Sequence, residues 1–331
     1  MISRRSASDI SFGEFGLIER FFKQKSVADD YIDLGVGDDC ALLSSRPGEQ
    51  WAVSTDTLLE EVHFFSNVEP AALGHKSLAV NLSDLAACGA TPRCFLLAIG
   101  LPQIDQAWLA DFSRGLLELA GAHRCVLAGG DTTRSANGIV ITITAMGTVP
   151  TGAALLRSGA RVGDDIWVSG SLGDAALGLA FRRNQIELSA TDARLVVDRL
   201  ERPTPRVHLG VRLRGIASSA IDVSDGLVGD LRHVLLASAV GAVIDWTRVP
   251  RSPVLQRQPV HVQQRCALSG GDDYELLFTA PSNRREELAA VAEATQVCRI
   301  GTVTATADLA VLDEQGTPVD TENGAYEHFL R

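Results

Sequence analysis

Residues 35–43 read Gly-Val-Gly-Asp-Asp-Cys-Ala-Leu-Leu, which places two adjacent carboxylates between glycines and an apolar run. Glycine adopts backbone conformations that other residues avoid, so the stretch predicts a tight loop at the end of a buried strand, presenting Asp38 and Asp39. Taken alone, Gly-Asp-Asp is also typical of an ordinary polar turn. The choice between the two interpretations depends on the rest of the chain.

Acidic residues after apolar or β-branched segments recur in five further places. These are Ser54-Thr55-Asp56-Thr57, Asn81-Leu82-Ser83-Asp84, Gly129-Gly130-Asp131-Thr132-Thr133, Asp222-Val223-Ser224-Asp225-Gly226 and Gly270-Gly271-Asp272-Asp273. So many carboxylates with so few lysines are hard to bury unless cations compensate them. Clusters of oxygen ligands suit hard cations, and Mg²⁺ typically takes one or two protein carboxylates together with water and substrate phosphate. The pattern predicts a Mg²⁺ site that handles phosphate.

Composition sets the broad class of the chain. Its 331 residues predict two domains, which we place at 1–150 and 151–331 because the pattern breaks near Pro150. The formal charge of −11 argues against nucleic-acid binding. The six cysteines form no C-x-x-C pair and lie mostly in apolar runs, which indicates reduced, buried thiols. With no signal peptide or apolar run of membrane length expected, the predicted location is cytoplasmic.

Hydrophobic periodicity predicts a mixture of helices and strands. Helices are expected at 14–22, 70–88, 105–121, 175–183, 192–200, 207–217, 227–239 and 284–294. Strands are expected at 51–53, 94–101, 139–149, 166–168, 218–221, 242–245, 275–279, 297–303 and 309–312. The fold class is therefore α/β or α+β. The regular β-α-β alternation with G-x-G-x-x-G that is typical of a dinucleotide-binding fold does not occur.

Seven motifs, taken together and in order, resemble one known family. They are Gly-Val-Gly-Asp-Asp-Cys-Ala-Leu-Leu at 35–43, Ser-Thr-Asp-Thr at 54–57, Asn-Leu-Ser-Asp-Leu-Ala-Ala at 81–87, Gly-Gly-Asp-Thr-Thr-Arg at 129–134, Arg-Ser-Gly-Ala at 157–160, Ile-Asp-Val-Ser-Asp-Gly-Leu at 221–227 and Ser-Gly-Gly-Asp-Asp-Tyr-Glu-Leu at 269–276. The chain resembles the thiamine-monophosphate kinases, which belong to the superfamily of aminoimidazole ribonucleotide synthetase-like ATP-dependent enzymes. The resemblance runs from about residue 13 to residue 326.

The resemblance implies a two-domain aminoimidazole ribonucleotide synthetase-like fold and a homodimer that forms through the sheet of the N-terminal domain. It implies transfer of the ATP γ-phosphate to thiamine monophosphate, giving thiamine diphosphate and ADP. The positions that it assigns to several Mg²⁺ ions are Asp39, Ser54, Thr55, Asp56, Asp84, Asp131, Asp222 and Asp225. The positions that it assigns to ATP are Gly130, Asp131, Arg157 and Ser224, and those for the substrate are His63, Asp272 and Tyr326.

Three of these residues have alternative interpretations. Asp272 stands where the family often has Glu, so its shorter side chain reaches less far. His63, between Val62 and Phe64, is also compatible with a packed core histidine, and Tyr326 with a C-terminal anchor.

The second Gly-Asp-Asp, at 163–165, precedes a strand as a β-turn does, and we expect Asp164 and Asp165 to be structural.

Other functions remain open at this point. A selenophosphate-synthase-like enzyme should carry a reactive Cys near its N-terminus, and a hydrogenase-maturation enzyme of this fold should end in Cys, whereas this sequence ends in Arg331. An aminoimidazole-ribonucleotide-synthetase-like activity is harder to exclude, although His63 and the Arg157 motif favour the kinase. A non-catalytic divalent-ion-binding protein is the alternative from another class, but the sequence contains no EF-hand spacing.

Overall fold

The computed structural model describes residues 14–23, 30–36, 40–291 and 295–321. Two of the predicted site residues, Asp39 and Tyr326, therefore lie outside the described residues, as does Asp38. None of the described helices combines the length and the apolar character that a membrane-spanning helix requires.

The first half of the chain forms a four-stranded sheet with two long helices. Its elements are α1 (Glu14–Leu17), which continues into a π-helical turn (Ile18–Phe22), β1 (Ile32–Leu34), β2 (Leu42–Leu43), β3 (Glu49–Leu59), α2 (Pro70–Ala87), β4 (Thr91–Leu101), α3 (Gln106–Ala122), β5 (Val126–Arg134) and β6 (Val140–Pro150). The sheet order is β3-β6-β4-β5, and only the β4–β5 pair is parallel. Strands β1 and β2 form a separate antiparallel ribbon.

The second half forms a six-stranded mixed sheet. Its elements are β7 (Asp165–Ser169), α4 (Asp174–Arg182), α5 (Ala190–Glu201), α6 (Val207–Leu213), β8 (Ser219–Asp222), α7 (Leu227–Ser238), β9 (Gly241–Asp245), α8 (Pro253–Gln256), α9 (Val260–Ser269), β10 (Leu276–Ala280), α10 (Arg285–Val291), β11 (Val297–Thr304) and β12 (Leu309–Leu312). The order is β12-β9-β11-β7-β10-β8, with β12 and β9 parallel. The two sheets together confirm the predicted mixed fold.

Local sequence signals explain where the two long helices begin. Pro70 occupies the first turn of α2, where its missing N–H has no intrahelical partner to lose. Asp105 caps α3, because its Oδ1 accepts hydrogen bonds from the backbone N–H groups of Ala107 and Trp108 at 2.9 and 3.1 Å. Both helices were predicted to within a few residues.

Helix α2 joins the two halves of the molecule. It packs against α3 on one side and contacts α6 and β8 from the second half on another. One hydrophobic cluster accordingly contains Leu82 and Phe112 together with Leu209 and Phe278. The division of the chain at residue 150 stays a prediction, since the core is continuous across it.

Four sequence expectations were wrong in detail. The short strand at 51–53 extends to Leu59, so Asp56 lies within a strand and not on a loop after it. Residues 129–131 also lie inside a strand, β5. Helices α8 and α9 were not predicted: α8 has only four residues, and α9 begins after Pro259 without a side-chain cap. The thiols are also less uniformly buried than expected: Cys40 is exposed.

The second Gly-Asp-Asp sequence is structural, but it is not an exposed turn. Asp164 is buried and accepts hydrogen bonds from the Arg161 backbone N–H at 3.0 Å and from Ser218 Oγ at 2.6 Å. Asp165 is 2% exposed and pairs with the guanidinium groups of Arg285 and Arg299 at 2.6 and 2.7 Å. The burial of these ion-paired carboxylates changes the expected effect of substituting them, as discussed below.

Candidate active site

A cleft of about 550 Å³ lies between β3, α2 and two loops of the second half. Its polar side carries Asp56, Asp225 and Asp272. Its apolar wall is formed by Leu58, Phe64, Val68, Leu73, Val80, Leu179 and Leu200. The cleft therefore offers both acidic and apolar surfaces to one ligand, as small-molecule sites commonly do.

Strand β3 and helix α2 bring two of the predicted carboxylates together. Ser54 and Asp56 alternate with outward-facing residues along β3, and the Ser54 hydroxyl donates a hydrogen bond to Asp84 on α2. Burial raises the pKa of Asp56 to about 7, with the neighbouring charge of Asp84 as the next cause. Burial also raises the pKa of Asp84, against the lowering effects of Ser54 and the Arg157 guanidinium.

A third carboxylate joins this pair from the second half of the chain. Asp222 is the last residue of β8 and is 5% exposed. Its Oδ2 accepts a 2.7 Å hydrogen bond from Ser83, the residue beside Asp84 on α2. Burial raises the pKa of Asp222, and the charges of Asp84 and Asp56 act in the same direction. We call Asp56, Asp84 and Asp222 the inner carboxylates.

The inner carboxylates have the donor chemistry of a hard-cation site. Within the described part of the chain, no three His, Cys, Asp or Glu side chains converge closely enough to form a complete metal centre by themselves. Burial nevertheless raises the pKa of each inner carboxylate, and the charge of Asp84 adds to the rise at Asp56 and Asp222. Oxygen donors with surplus negative charge are the ligands that Mg²⁺ prefers, so these residues fit such an ion.

The loop after β8 is held by a residue that sequence analysis missed. Asp230, on the first turn of α7, accepts hydrogen bonds from the backbone N–H groups of Ser224, Asp225 and Gly226, each at 3.1 Å. Burial raises the pKa of Asp230 to about 7, although these hydrogen bonds oppose the rise. The signal in the sequence for this capping role was an Asp that stands four residues after the glycine of the loop and within the first turn of a helix.

The loop that carries Arg157 is fastened beside the inner carboxylates. The hydroxyl of Ser238 accepts hydrogen bonds from the N–H groups of Gly159 and Ala160, both at 3.1 Å. This arrangement places the Arg157 guanidinium where its charge lowers the pKa of Asp84. Arg157 is therefore close to the predicted phosphate site.

The side chains of two predicted metal ligands, Thr55 and Asp131, lie on the face of the first sheet opposite to that of Ser54 and Asp56. The Thr55 hydroxyl is 2.9 Å from that of Thr144 and its side chain is exposed, unlike those of Ser54 and Asp56. Asp131 is also exposed. It pairs with Ala98 of β4, which pairs through β6 with Thr57 of β3, so Asp131 lies in line with Thr57 across the sheet. The structure thus brings together Ser54 and the inner carboxylates but not the side chains of Thr55 and Asp131.

Gly130 lies in tight contact with the neighbouring strand. Its φ is 153°, and a Cβ at this position would lie 1.8 Å from the carbonyl oxygen of Leu97. Only glycine fits there, so the close pairing of β4 and β5 already accounts for this residue.

Two of the three predicted substrate residues, His63 and Asp272, line the cleft. His63 Nδ1 accepts a 3.0 Å hydrogen bond from the backbone N–H of Leu59, so the neutral ring carries its proton on Nε2. Asp272 has a left-handed φ of 68°, and the following loop residue Tyr274 has one of 51°. Such strained positions for residues other than glycine are concentrated at functional sites.

Sequence analysis missed Lys76 as a residue of this cleft. It is 4% exposed on α2, and its Nζ lies 3.1 Å from Asp272 Oδ1. The signal in the sequence was a lysine, one of three in the chain, on the apolar face of a predicted helix.

The fold and the site define a class of protein. The chain matches the family models of the AIR synthase related proteins, with the N-terminal domain at residues 37–149 and the C-terminal domain at residues 161–314. It is 45% identical to the thiamine-monophosphate kinase of Escherichia coli O157:H7, over 96% of this chain and 98% of that protein. The chain therefore belongs to the thiamine-monophosphate kinase family of AIR synthase related proteins.

Solved structures support the same assignment. The crystal structure of thiamine-monophosphate kinase from Stenotrophomonas maltophilia K279a is 44% identical, with a TM-score of 0.81 over 88% of this chain and 93% of that chain. The structure of AaThiL complexed with AMPPCP and TMP is 29% identical, with a TM-score of 0.76 over 86% of this chain and 89% of that chain.

Proposed function

We propose that this protein phosphorylates thiamine monophosphate to thiamine diphosphate with ATP as the phosphate donor. Membership of the kinase family supports the reaction. The observation in the structure that carries the proposal is the cleft itself, where Asp56 of the inner carboxylates, together with Asp225 and Asp272, adjoins an apolar wall. The acidic side suits cation-bridged phosphates, and the apolar wall suits an aromatic ring system.

The inner carboxylates would hold Mg²⁺ together with Ser54 and Asp225. The bound ions would neutralise charge on the phosphates of both substrates. Asp39, Thr55 and Asp131 belong to the proposed ligand set through the family resemblance. Arg157, Gly130 and Ser224 are proposed to contact ATP, and Arg157 adds a guanidinium that can bind phosphate in a bidentate manner.

We propose direct in-line transfer. A phosphate oxygen of thiamine monophosphate attacks the γ-phosphorus of ATP, the bond from that phosphorus to the β–γ bridging oxygen breaks, and ADP leaves with the electron pair. The attacking oxygen is already anionic, so the protein need not supply a strong base. The protein's task is to position two polyanions and to reduce their repulsion.

Three residues are proposed to bind the acceptor substrate: His63, Asp272 and Tyr326. The proton on His63 Nε2 suits donation to an anionic oxygen. Lys76 holds the Asp272 carboxylate from the floor of the cleft and thereby compensates for its charge. Asp272, which is shorter than the Glu that the family often has at this position, is thus ion-paired with the buried Lys76 ammonium group.

A homodimer formed through the outer face of the first sheet is part of the proposal, as is a cytoplasmic location. Along β3 the outer face exposes Val53 at 60% and Leu59 at 37%. Exposed apolar side chains on the face of a sheet are typical of an interface with another chain.

An acceptor panel tests the proposed reaction. ADP release would be measured with thiamine monophosphate, unphosphorylated thiamine and aminoimidazole ribonucleotide precursors as acceptors. We expect release with thiamine monophosphate alone, matched by formation of thiamine diphosphate. Release that depends on an aminoimidazole precursor instead would show that the second activity of the superfamily is the correct one. In a parallel incubation with γ-labelled ATP and no acceptor, stable label on the protein would contradict direct transfer.

A further inference from the structure

A second cavity, of about 660 Å³, shares no lining residue with the cleft. It lies where the start of β4, the end of α3 and helix α6 meet. Five of its twelve lining residues are Arg or His, and one is acidic. The basic residues are Arg46, Arg93, His123, Arg124 and His208. We call this site the arginine cavity. Five basic residues around one cavity are unusual in a chain whose formal charge is −11.

Arg93 is fixed in the wall of the arginine cavity by neutral partners. Its Nε donates a 3.0 Å hydrogen bond to the Thr148 hydroxyl, and its Nη2 lies 3.3 Å from the Tyr31 hydroxyl. Its guanidinium carbon lies 4.2 Å from the centre of the Tyr31 ring. These contacts hold the group in one orientation without neutralising its charge, which is the arrangement that favours anion binding.

Arg214 adds a second cation behind this wall. Its guanidinium donates hydrogen bonds to the Gly89 carbonyl and, at 3.1 Å, to the Thr91 hydroxyl. Among the described residues, neither Arg93 nor Arg214 makes an ion pair with a carboxylate. Burial lowers the pKa of Arg214, and the charge of Arg93 lowers it further, while Glu49 acts in the opposite direction. The Glu49 carboxylate accepts a 2.5 Å hydrogen bond from the Tyr31 hydroxyl, so it acts on the Arg214 guanidinium without pairing with it directly.

The remaining basic groups surround the opening. Arg46 pairs with Asp30 at 2.6 Å, which accounts for the single acidic lining residue. Arg124 is exposed, and no side-chain partner is present for it within the described residues. His123 is desolvated and close enough to His208 for burial and that neighbour to lower its pKa.

We propose that the arginine cavity binds a phosphate or diphosphate group without a metal ion. Arg93 is held in one orientation with its Nη1 outside its hydrogen bonds to Thr148 and Tyr31, Arg124 adds a second guanidinium at the cavity, and the volume admits a diphosphate. The site differs in principle from the cleft, where surplus carboxylates require a cation before a phosphate can bind. The proposal does not depend on the identity of the reaction catalysed in the cleft.

Calorimetric titration of the full chain with inorganic pyrophosphate tests the proposal. The titration is run in EDTA at low ionic strength, so that binding through divalent ions in the cleft is suppressed. We expect saturable binding of one pyrophosphate per chain. Loss of one charge-assisted contact in Arg124→Ser should raise the Kd by about tenfold. Arg232→Ser is the matched control, since it removes an exposed arginine from α7, outside the cavity, and should leave the Kd unchanged.

Two further arms make the result decisive. Arg93→Gln combined with Arg124→Ser should abolish binding; if that protein fails to fold, His208→Ala with Arg124→Ser replaces it, because both side chains are exposed. A titration with ADP identifies the source of the group: equal affinities indicate a free anion, and tighter binding of ADP indicates a nucleotide. No saturable binding at millimolar pyrophosphate would overturn the proposal. So would binding that the cavity variants leave unchanged, or that Arg232→Ser weakens equally.

Discussion

At the scale of single residues, two groups of buried carboxylates behave in opposite ways. The inner carboxylates repel one another, and burial raises their pKa values. Asp165 is 2% exposed, less than any of the inner carboxylates, but it faces two arginines. Burial by itself would raise the pKa of Asp165, yet the hydrogen bond and charge of Arg285, together with the charge of Arg299, hold it below its usual value. The partners, more than the burial, separate a site from a structural ion pair.

Asp165→Asn should lower stability because it leaves two arginines without their shared carboxylate. Both arginines are partly exposed, so we expect a loss of roughly 1–3 kcal/mol in the free energy of unfolding. A depressed pKa stabilises the fold above the unfolded value, about 3.9, and this contribution disappears as pH falls through the folded value. Thermal unfolding should therefore show a larger difference between variant and wild type at pH 7 than at pH 3.

Asp198→Asn is a suitable control for this comparison, because Asp198 makes only a long, exposed contact with Arg202 at 3.7 Å. It should unfold like the wild type at both pH values. A difference for Asp165→Asn that is the same at pH 3 and pH 7 would show that the ion pairs do not control the stability.

Part of the candidate site could be predicted from the sequence. The repeated acidic motifs identified the residues of the inner carboxylates, since surplus Asp beside apolar runs is costly without a cation. Their partners could not be predicted, because the Ser83–Asp222 hydrogen bond joins residues 139 positions apart. Lys76 was missed for the same reason, since its partner Asp272 is distant in sequence, whereas Asp230 caps a loop only four to six residues away and was missed although its signal was local.

At the scale of elements, α2 organises the site. It presents Lys76 to the cleft, and its Ser83 and Asp84 side chains contact Asp222 and Ser54, while its other faces are buried against α3 and α6. The crossing of α2 and α3 is unusually close. A Cβ added at Gly115 of α3 would lie 1.9 Å from the Ala71 carbonyl oxygen on α2. Small residues at this crossing thus determine how near α2 lies to the core.

Gly115→Ala should separate α2 from α3 and destabilise the protein by about 2–3 kcal/mol, because the overlap is with backbone that cannot move alone. Gly121→Ala, in the same helix, has no atom within 4 Å of the added Cβ. It should leave stability unchanged or raise it by up to about 1 kcal/mol through improved helix propensity. Denaturant unfolding of both variants checks the pair. Equal effects of the two substitutions would show that the close crossing is not required.

Element boundaries show why local sequence predicted some structure and not the rest. Helix α2 begins at Pro70 and helix α3 is capped by Asp105, and both were placed correctly. The glycines at 129–130 predicted a loop, yet they lie in β5 because β4 approaches too closely for side chains. Glycine thus signals either a turn or a close contact, and only the tertiary structure distinguishes them.

At the scale of the whole molecule, one face of the first sheet is left exposed. The core continues from the first half into the second through α2, while the outer face of β3 stays uncovered in the single chain. Hydrogen bonds between threonine hydroxyls, each 2.9 Å long, keep that face ordered. They join Thr55 to Thr144 and Thr57 to Thr142. An ordered, partly apolar face is consistent with the proposed homodimer.

Val53→Arg should convert the proposed dimer into a monomer by placing a charge at the interface. Sedimentation equilibrium should then give a mass near the 35.3 kDa of one chain, compared with twice that value for the wild type. Val260→Arg is the control, since Val260 is equally exposed, at 60%, but lies on α9 of the second half. A wild-type protein that sediments as one chain, or a dimer that Val53→Arg leaves intact, would contradict this interface.

The dependence of kcat on free Mg²⁺ in wild type and Asp84→Asn tests the central claim most directly. With MgATP and thiamine monophosphate saturating, wild-type kcat should keep rising as free Mg²⁺ increases, because further ions are proposed to bind the inner carboxylates. Asp84→Asn should lower kcat on the order of 10²-fold or more and flatten this response. The folded variant should be at least as stable as the wild type, since one of several repelling charges is removed. Asp165→Asn, once shown to be folded, should retain both the rate and the response. A wild-type rate that follows MgATP alone, or a folded Asp84→Asn variant with near-normal kcat, would contradict the account.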